Sequence, residues 1–295
     1  MEIIGFIGIG IMGKPMVKNL MKAGYRLLIY NRSSESLKEC KKEGAMVATC
    51  VEEVAEKCSI IITMLPDSSE SEEVIIGDKG IIQSAKKGTI VVDMSSIDPN
   101  VSIKIGKKLA EKGIEFLDAP VSGGEPKAID GTLVIMAGGK KEIFEKVLHL
   151  FKVMGQSYTL IGDIGAGNFT KLSNQIIVAL NIAAVSEALI LAKKAGLSPS
   201  VVKEALMGGL AGSAVLENKA PMMINRNFKP GFKIKLHQKD LQNAINAGKS
   251  LSVPLPLTAQ ILEILKSLNA QGFGEEDHSA VVKFFEKISG VEVKE

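Results

Sequence analysis

Ile3-Ile4-Gly5-Phe6-Ile7-Gly8-Ile9-Gly10-Ile11-Met12-Gly13-Lys14-Pro15-Met16-Val17-Lys18-Asn19-Leu20 is the stretch that decides the fold. Residues 3–7 are apolar-rich and read as a buried strand. Met16, Val17, Leu20 and Met21 are spaced as one face of a helix. Between them Gly8, Gly10 and Gly13 form a GxGxxG string. Glycine is common, so the string alone is weak, but strand, glycine turn and helix is the context a dinucleotide-binding turn requires. The first glycine permits the turn, the second lets a pyrophosphate approach the backbone, and the third lets helix and strand pack closely. The helix start offers N–H groups and positive dipole to phosphates. Gly8, Gly10, Ile11, Met12 and Gly13 are therefore the expected cofactor contacts; the alternative is an ordinary glycine-rich βα turn.

Outward from this turn, strand-like and helix-like segments alternate up to residue 162. Strands are expected over 2–7, 26–30, 59–64, 89–92, 114–117, 132–137 and 157–161, with helices over 11–23, 34–43, 68–76, 99–112 and 140–152 between them. Such alternation predicts an α/β architecture, a mainly parallel, doubly wound sheet of Rossmann type, with ligand at the C-terminal strand ends. Past Gly162 the pattern becomes helical, over 168–195, 198–208, 213–225, 234–250, 256–270 and 276–288. Ser198-Pro199 starts one helix, Gly208-Gly209 ends it, and Pro254 and Pro256 precede another. The expected domains are a dinucleotide-binding domain, 1–162, and an all-α domain for substrate and oligomer contacts, 163–295.

Composition narrows the function classes. The 295 residues carry 36 Lys+Arg against 33 Asp+Glu, a net +3 with both signs interspersed, which argues against nucleic acid. Three cysteines without CxxC spacing read as reduced thiols of an intracellular protein. The N-terminus opens directly on a strand with no basic leader, so a cytoplasmic location is expected. Leu172–Ala192 is the most apolar run, but Asn174, Gln175, Asn181 and Glu187 interrupt it, so protein rather than lipid is expected around it. His149, His237 and His278 are far apart, and no HExxH, GxSxG or P-loop string occurs, so no metal is expected.

Five further segments carry candidate chemistry. NAD-binding units commonly place an acidic residue after the second strand, on the ribose 2′-hydroxyl. Here Asn31-Arg32-Ser33 follows instead, three donors suited to a 2′-phosphate, which predicts NADP(H) over NAD(H) unless Arg32 is a plain solvated arginine. Met64-Leu65-Pro66 ends one strand and could wall the adenosine, and Ser96, after the next, could face the nicotinamide; ordinary strand-end packing accounts equally for both. Asp118-Ala119-Pro120-Val121-Ser122-Gly123-Gly124 could present consecutive N–H groups from Ser122, Gly123 and Gly124 to a substrate carboxylate, or be a simple loop. Gly165-Ala166-Gly167 leads into a long helix with Lys171 expected in its first turn and Asn174 and Gln175 on the same face. A lysine at a positive helix end is locally unfavourable, as functional sites often are, and a lysine made more acidic there could protonate a carbonyl oxygen; a surface lysine is the competing reading. Finally, Phe232–Leu241 reads as a charged amphipathic helix in which His237 lacks a sequence-level partner.

Together these segments resemble the β-hydroxyacid dehydrogenase family, part of the 6-phosphogluconate dehydrogenase superfamily. Gly8–Met16 with Asn19-Leu20 is similar to its N-terminal signature, Asp118–Gly124 to its substrate signature, Gly165-Ala166-Gly167 with Lys171 to its catalytic one, and Lys239-Asp240-Leu241 to its C-terminal one. The resemblance runs from about residue 3 to 290. It implies Lys171 as general acid/base, Ser122 to Gly124 at the substrate carboxylate with Asn174, Gln175 and Phe232 nearby, and Ser96 and Lys239 at the cofactor. Ser122–Thr132 and Gly208–Ser213 are similar to members that reversibly reduce tartronate semialdehyde to D-glycerate. Reduction of glyoxylate or succinic semialdehyde, oxidation of 3-hydroxyisobutyrate, and a cofactor-sensing protein without turnover are the alternatives. A small carboxylate-bearing aldehyde or hydroxy acid, a homodimer or homotetramer, and no nucleic-acid or membrane partner are what the resemblance implies. Many members carry asparagine four residues after the lysine; here that residue is Gln175, with Asn174 before it.

Overall fold

The computed structural model describes residues 2–295. Its first half alternates as expected: β1 (Ile3–Ile7), α1 (Gly13–Lys22), β2 (Arg26–Tyr30), α2 (Ser34–Lys42), β3 (Met46–Val47), α3 (Val51–Lys57), β4 (Ile60–Thr63), α4 (Ser68–Ile76), α5 (Ile81–Ser84), β5 (Ile90–Asp93), α6 (Pro99–Glu111) and β6 (Glu115–Asp118). There follow β7 (Val121–Ser122), α7 (Gly124–Asp130), β8 (Leu133–Gly139), α8 (Lys141–Met154) and β9 (Gly155–Gly162). The sheet order is β3-β2-β1-β4-β5-β6-β8-β7, with β9 beside β8. β1 has β2 on one side and β4 on the other, both parallel, so the chain reverses its winding next to the glycine turn. That is where ligands enter open α/β sheets.

Strand periodicity explains why both faces are covered. Ile4 and Phe6 point into one core with Met16, Val17 and Leu20 of α1, whereas Ile7 joins Leu28, Val54, Ile61 and Val91 in a second. A strand buried on both faces reads as a continuous apolar run rather than an alternating one. The elements absent from the sequence reading are short. α3 spans 7 residues, α5 4, and β3 and β7 2 each, below the length at which periodicity tells. α7 hides behind Gly123-Gly124-Glu125-Pro126, which reads as a turn. β8 runs antiparallel to both β6 and β7.

The second half is helical: α9 (Ala166–Lys194), α10 (Pro199–Met207), α11 (Ala214–Ile224), α12 (Ile234–Ser250), α13 (Pro256–Leu268) and α14 (Val282–Ser289). A π turn (Asn269–Phe273) and a 3-10 turn (His278–Val281) precede α14, so the helix expected over 276–288 begins as a tighter turn. Ser198 and Ser213 cap α10 and α11 by accepting from the N–H groups of Val201 and Leu216. Among the described residues the half holds no strand, only a bridge between Lys233 and Asp277. Its core gathers Ile182, Leu189, Leu216, Met223, Ile234, Leu241 and Leu265. α9 is 29 residues long and apolar enough to cross a membrane, but half of its most apolar window is buried, and Gln175 and Ser186 are buried within it.

The chain divides into two compact units, Met1–Lys171 and Leu172–Glu295. The division between these two units falls after the start of α9. The cause is local: the N–H groups of Gly165 and Asn168 donate to the Asp118 carboxylate at 2.7 and 2.8 Å, which binds the first turn of α9 to the end of β6.

Candidate active site

In the first unit the three glycines of the turn meet different surroundings. Gly8 has φ +99°, and a Cβ there would collide with the Met64 carbonyl. A Cβ on Gly13 would collide with the Gly8 carbonyl. A Cβ on Gly10 would meet nothing within 4 Å. The outer two glycines are therefore fixed by backbone packing, and nothing in the fold itself requires the middle one. α1 has no side-chain cap at its start, where the Lys14 N–H donates to the Gly10 carbonyl at 3.0 Å and Pro15 brings no N–H, and Ile11 is exposed beside it, so the helix dipole faces the turn uncapped. These features fit a dinucleotide pyrophosphate.

At the end of β2 the Asn31 Oδ1 accepts from the Ile9 N–H at 3.1 Å, and its Nδ2 donates to the Ser33 carbonyl at 3.1 Å. Asn31 thus ties the glycine turn to the residues after β2. Arg32 is exposed and pairs with Glu70 of α4, a partner that sequence reasoning missed. Glu70 was visible only as the third residue of a capped turn: the Asp67 Oδ1 accepts from its N–H at 2.9 Å.

Met64 is half-buried against the core, the Leu65 N–H donates to the Ser95 Oγ at 2.8 Å, and Pro66 is exposed. Ser96, half-buried, follows Ser95. Beneath them Asp93, at the tip of β5, accepts from the Thr63 Oγ1 at 2.9 Å and the Ser95 N–H at 3.1 Å, and its burial pushes its carboxyl above the usual range.

Asp118 lies in register with Asp93 on the neighbouring strand. Burial pushes its carboxyl up to about 7, with the Asp93 charge adding to the rise and the N–H groups of Gly165 and Asn168 opposing it. Asn168 is fully buried: its Oδ1 accepts from the Ile97 N–H at 3.0 Å and its Nδ2 donates to the Ser102 Oγ at 3.1 Å. The start of α9 is thereby fixed to the loop that carries Ser96. Asp118 stands in a sequence motif without a role and Asn168 is not singled out, since nothing in the spacing shows that they meet.

Gly123 and Gly124 have φ +133° and +67°, and α7 begins at Gly124, so Ser122 to Gly124 lead into a helix rather than a plain loop. Lys171 is buried, with 6 % of its surface exposed. Because α9 begins at Ala166, Lys171 sits in its second turn, not its first, beyond the last strong reach of the helix end. The expectation that the helix end makes this lysine more acidic therefore loses its geometric basis.

The second unit holds the remaining candidates. On α9, Asn174 Nδ2 donates to Gln175 Oε1 at 2.8 Å, and Gln175 Nε2 donates to Asp240 Oδ2 at 2.7 Å. Lys239 Nζ lies 3.2 Å from Asp240 Oδ1. The two amides thus form one chain ending on a buried carboxylate that sequence reasoning left without a role. His237 does have a partner: its Nδ1 lies 2.9 Å from His278 Nδ1, with the ring of Phe232 edge-on to both imidazoles. Among the described residues no three metal-ligating side chains gather.

Residues 3–162 match the NAD-binding domain of 6-phosphogluconate dehydrogenase, and residues 165–285 the NAD-binding region of NADP-dependent 3-hydroxyisobutyrate dehydrogenase. The chain is 46 % identical to 2-hydroxy-3-oxopropionate reductase of Escherichia coli K12, over 96 % of this chain and 97 % of that one. The chain belongs to the β-hydroxyacid dehydrogenase family. This β-hydroxyacid dehydrogenase is an NAD(P)-dependent oxidoreductase. It is also 40 % identical to 2-(hydroxymethyl)glutarate dehydrogenase of Eubacterium barkeri, over 98 % and 97 % of the two chains. Among solved structures it is similar to Mycobacterium tuberculosis 3-hydroxyisobutyrate dehydrogenase with L-serine, at TM-score 0.90 and 28 % identity over 97 % and 99 % of the chains.

Proposed function

We propose that this dehydrogenase is an NADPH-preferring reductase of small aldehyde acids, and that its substrate is tartronate semialdehyde, reduced reversibly to D-glycerate. The observation that carries the reading is Lys171: a buried lysine on the α9 face shared by Asn174 and Gln175. Asp118 and Asn168 hold the start of that helix. The 46 % identity to an enzyme named for 2-hydroxy-3-oxopropionate supports the substrate.

When bound, NADPH would supply the hydride for the carbonyl carbon. Lys171 donates its proton to the carbonyl oxygen as charge develops there, and takes it back in the reverse direction. Ser122, Gly123 and Gly124 hold the carboxylate through a hydroxyl and main-chain N–H groups, and Asn174, Gln175 and Phe232 orient the rest of the substrate. Gly8, Gly10, Ile11, Met12 and Gly13 receive the pyrophosphate. Asn31, Arg32 and Ser33 would hold the 2′-phosphate, Met64, Leu65 and Pro66 would wall the adenosine, Ser96 would face the nicotinamide, and Lys239 would contact the cofactor. The reading carries with it a cytoplasmic homo-oligomer without nucleic-acid or membrane partners.

The test is kcat/KM for tartronate semialdehyde, glyoxylate, succinic semialdehyde and 3-hydroxyisobutyrate with both cofactors. Tartronate semialdehyde with NADPH should rank first. A higher value for another acid refutes the substrate, equal values with NADH refute the preference, and no turnover with any refutes the aldehyde-acid reading.

A further inference from the structure

His237 and His278 are buried, at 1 % and 5 % exposure, and meet Nδ1 to Nδ1 at 2.9 Å. On its other side His237 Nε2 lies 3.1 Å from the main-chain carbonyl of Gln175. A carbonyl only accepts, so this Nε2 carries the hydrogen. A neutral His237 then presents a bare Nδ1, and His278 donates to it from its own Nδ1. The tautomers of both rings follow from one carbonyl.

The pair sits at a junction of candidate site residues. The His278 N–H donates to the Phe232 carbonyl at 2.9 Å. Asp277, buried beside it, accepts from Lys219 Nζ at 3.0 Å and from the N–H groups of Gly231, Phe232 and Ser279 at 3.0, 3.1 and 2.9 Å. The Phe232 ring stands 5.6 and 5.5 Å from the two imidazole centroids. Gln175, whose carbonyl His237 holds, is bound through its side chain to Asp240 one turn further along α12. The two rings therefore join the loop of Phe232 to the α9 turn of Gln175.

We propose that His237 and His278 are positioning residues that hold Phe232 and Gln175 for the substrate, and that the latch lasts only while a single hydrogen lies between the two Nδ1 atoms. The inference rests on the reading that Phe232 and Gln175 face substrate. Protonation should proceed in two unequal steps. The Asp277 carboxylate, shared with Lys219 of α11, draws positive charge to His278; a proton on its Nε2 leaves the Nδ1 hydrogen in place and the latch shut. A second proton, on His237 Nδ1, sets two donors against each other and opens it. The other charged groups on adjoining elements are already engaged: Lys239 with Asp240 on α12, Glu286 of α14 with Arg226, Lys283 of α14 with Glu276, and Lys266 of α13 with Glu263. α9 presents Gln175 and, one turn before it on the same face, Lys171.

Two measurements on the full chain test this. Nitrogen-15 NMR of labelled imidazoles should show His278 protonated at Nδ1, His237 at Nε2, and a coupling across the N–H···N bond that vanishes on acidification. His237 in the Nδ1–H form, or no coupling at any pH, overturns the proposal. Steady-state profiles of H278F and H278N then test the function. Loss of one buried hydrogen bond in H278F should raise KM about five- to tenfold, with a smaller change in kcat. H278N, whose amide can donate to a bare His237 Nδ1 and turn to accept from a protonated one, should recover most of the KM and lose the wild-type rise in KM on acidification. Wild-type KM and pH profile in H278F would overturn the positioning role. If the wild type turns over no aldehyde acid, the proposed function fails, and the NMR result judges the pair by itself.

Discussion

Replacing Gly10 and Gly13 separately should divide folding from binding within one turn. A Cβ at Gly13 collides with the Gly8 carbonyl, so G13A must move backbone. Such overpacking costs roughly 1–3 kcal/mol and lowers Tm by several degrees. A Cβ at Gly10 meets nothing within 4 Å. G10A should therefore fold as the wild type does, within about 0.5 kcal/mol. Its methyl group stands where a pyrophosphate must approach the backbone. Losing one charge-assisted hydrogen bond there, about 1.5–3 kcal/mol, weakens NADPH about ten- to a hundredfold. The chain contains no tryptophan, so the fluorescence of the nicotinamide itself reports binding without competing protein emission. Wild-type affinity in G10A would refute the reasoning, as would a fall in its Tm matching that of G13A.

Three further outcomes are expected. K171A should lose about 10²–10⁴ in turnover while keeping NADPH affinity, and normal turnover would remove Lys171 from the chemistry. R32A should cut the NADPH/NADH affinity ratio about tenfold or more, and E70Q, by releasing Arg32 from its ion pair, should raise it a few-fold; an unchanged ratio in R32A rules out contact with the 2′-phosphate. Asp118, with its carboxyl raised to about 7, contributes stability fully present below about pH 4 and lost as pH rises through 7, a swing on the order of 4 kcal/mol. Denaturant unfolding of wild type and D118N from pH 4 to 8 should show the variant gaining relative stability as pH rises, and a constant difference would refute the assignment.

The architecture of the first unit was legible because its strands are buried on both faces and its helices amphipathic, so the period changes at each boundary. α3, α5 and β7 escaped because a few residues cannot establish a period. Lys171 could be found from its motif, but its place in the second turn could not, because the start of α9 is set by Asp118, some fifty positions earlier. The partners of Arg32 and His237 escaped for the same reason. Glu70 and His278 lie 38 and 41 positions away in sequence and are joined to them only by the fold. Motifs report which residue types chemistry needs, while the groups that hold them are set by strand order and helix packing.

Asn31 bears on how such a protein can change over evolutionary time. Its carboxamide is used at both ends, accepting from Ile9 and donating to the Ser33 carbonyl. An aspartate at this position would keep the first bond but set a carboxylate oxygen against a carbonyl oxygen. The single substitution that would bring in an acidic group for a ribose hydroxyl therefore carries a structural penalty before it confers any benefit. On the proposed reading, a change of dinucleotide through this position would begin with a loss of stability, so one amide couples the folding of the turn to the choice of coenzyme.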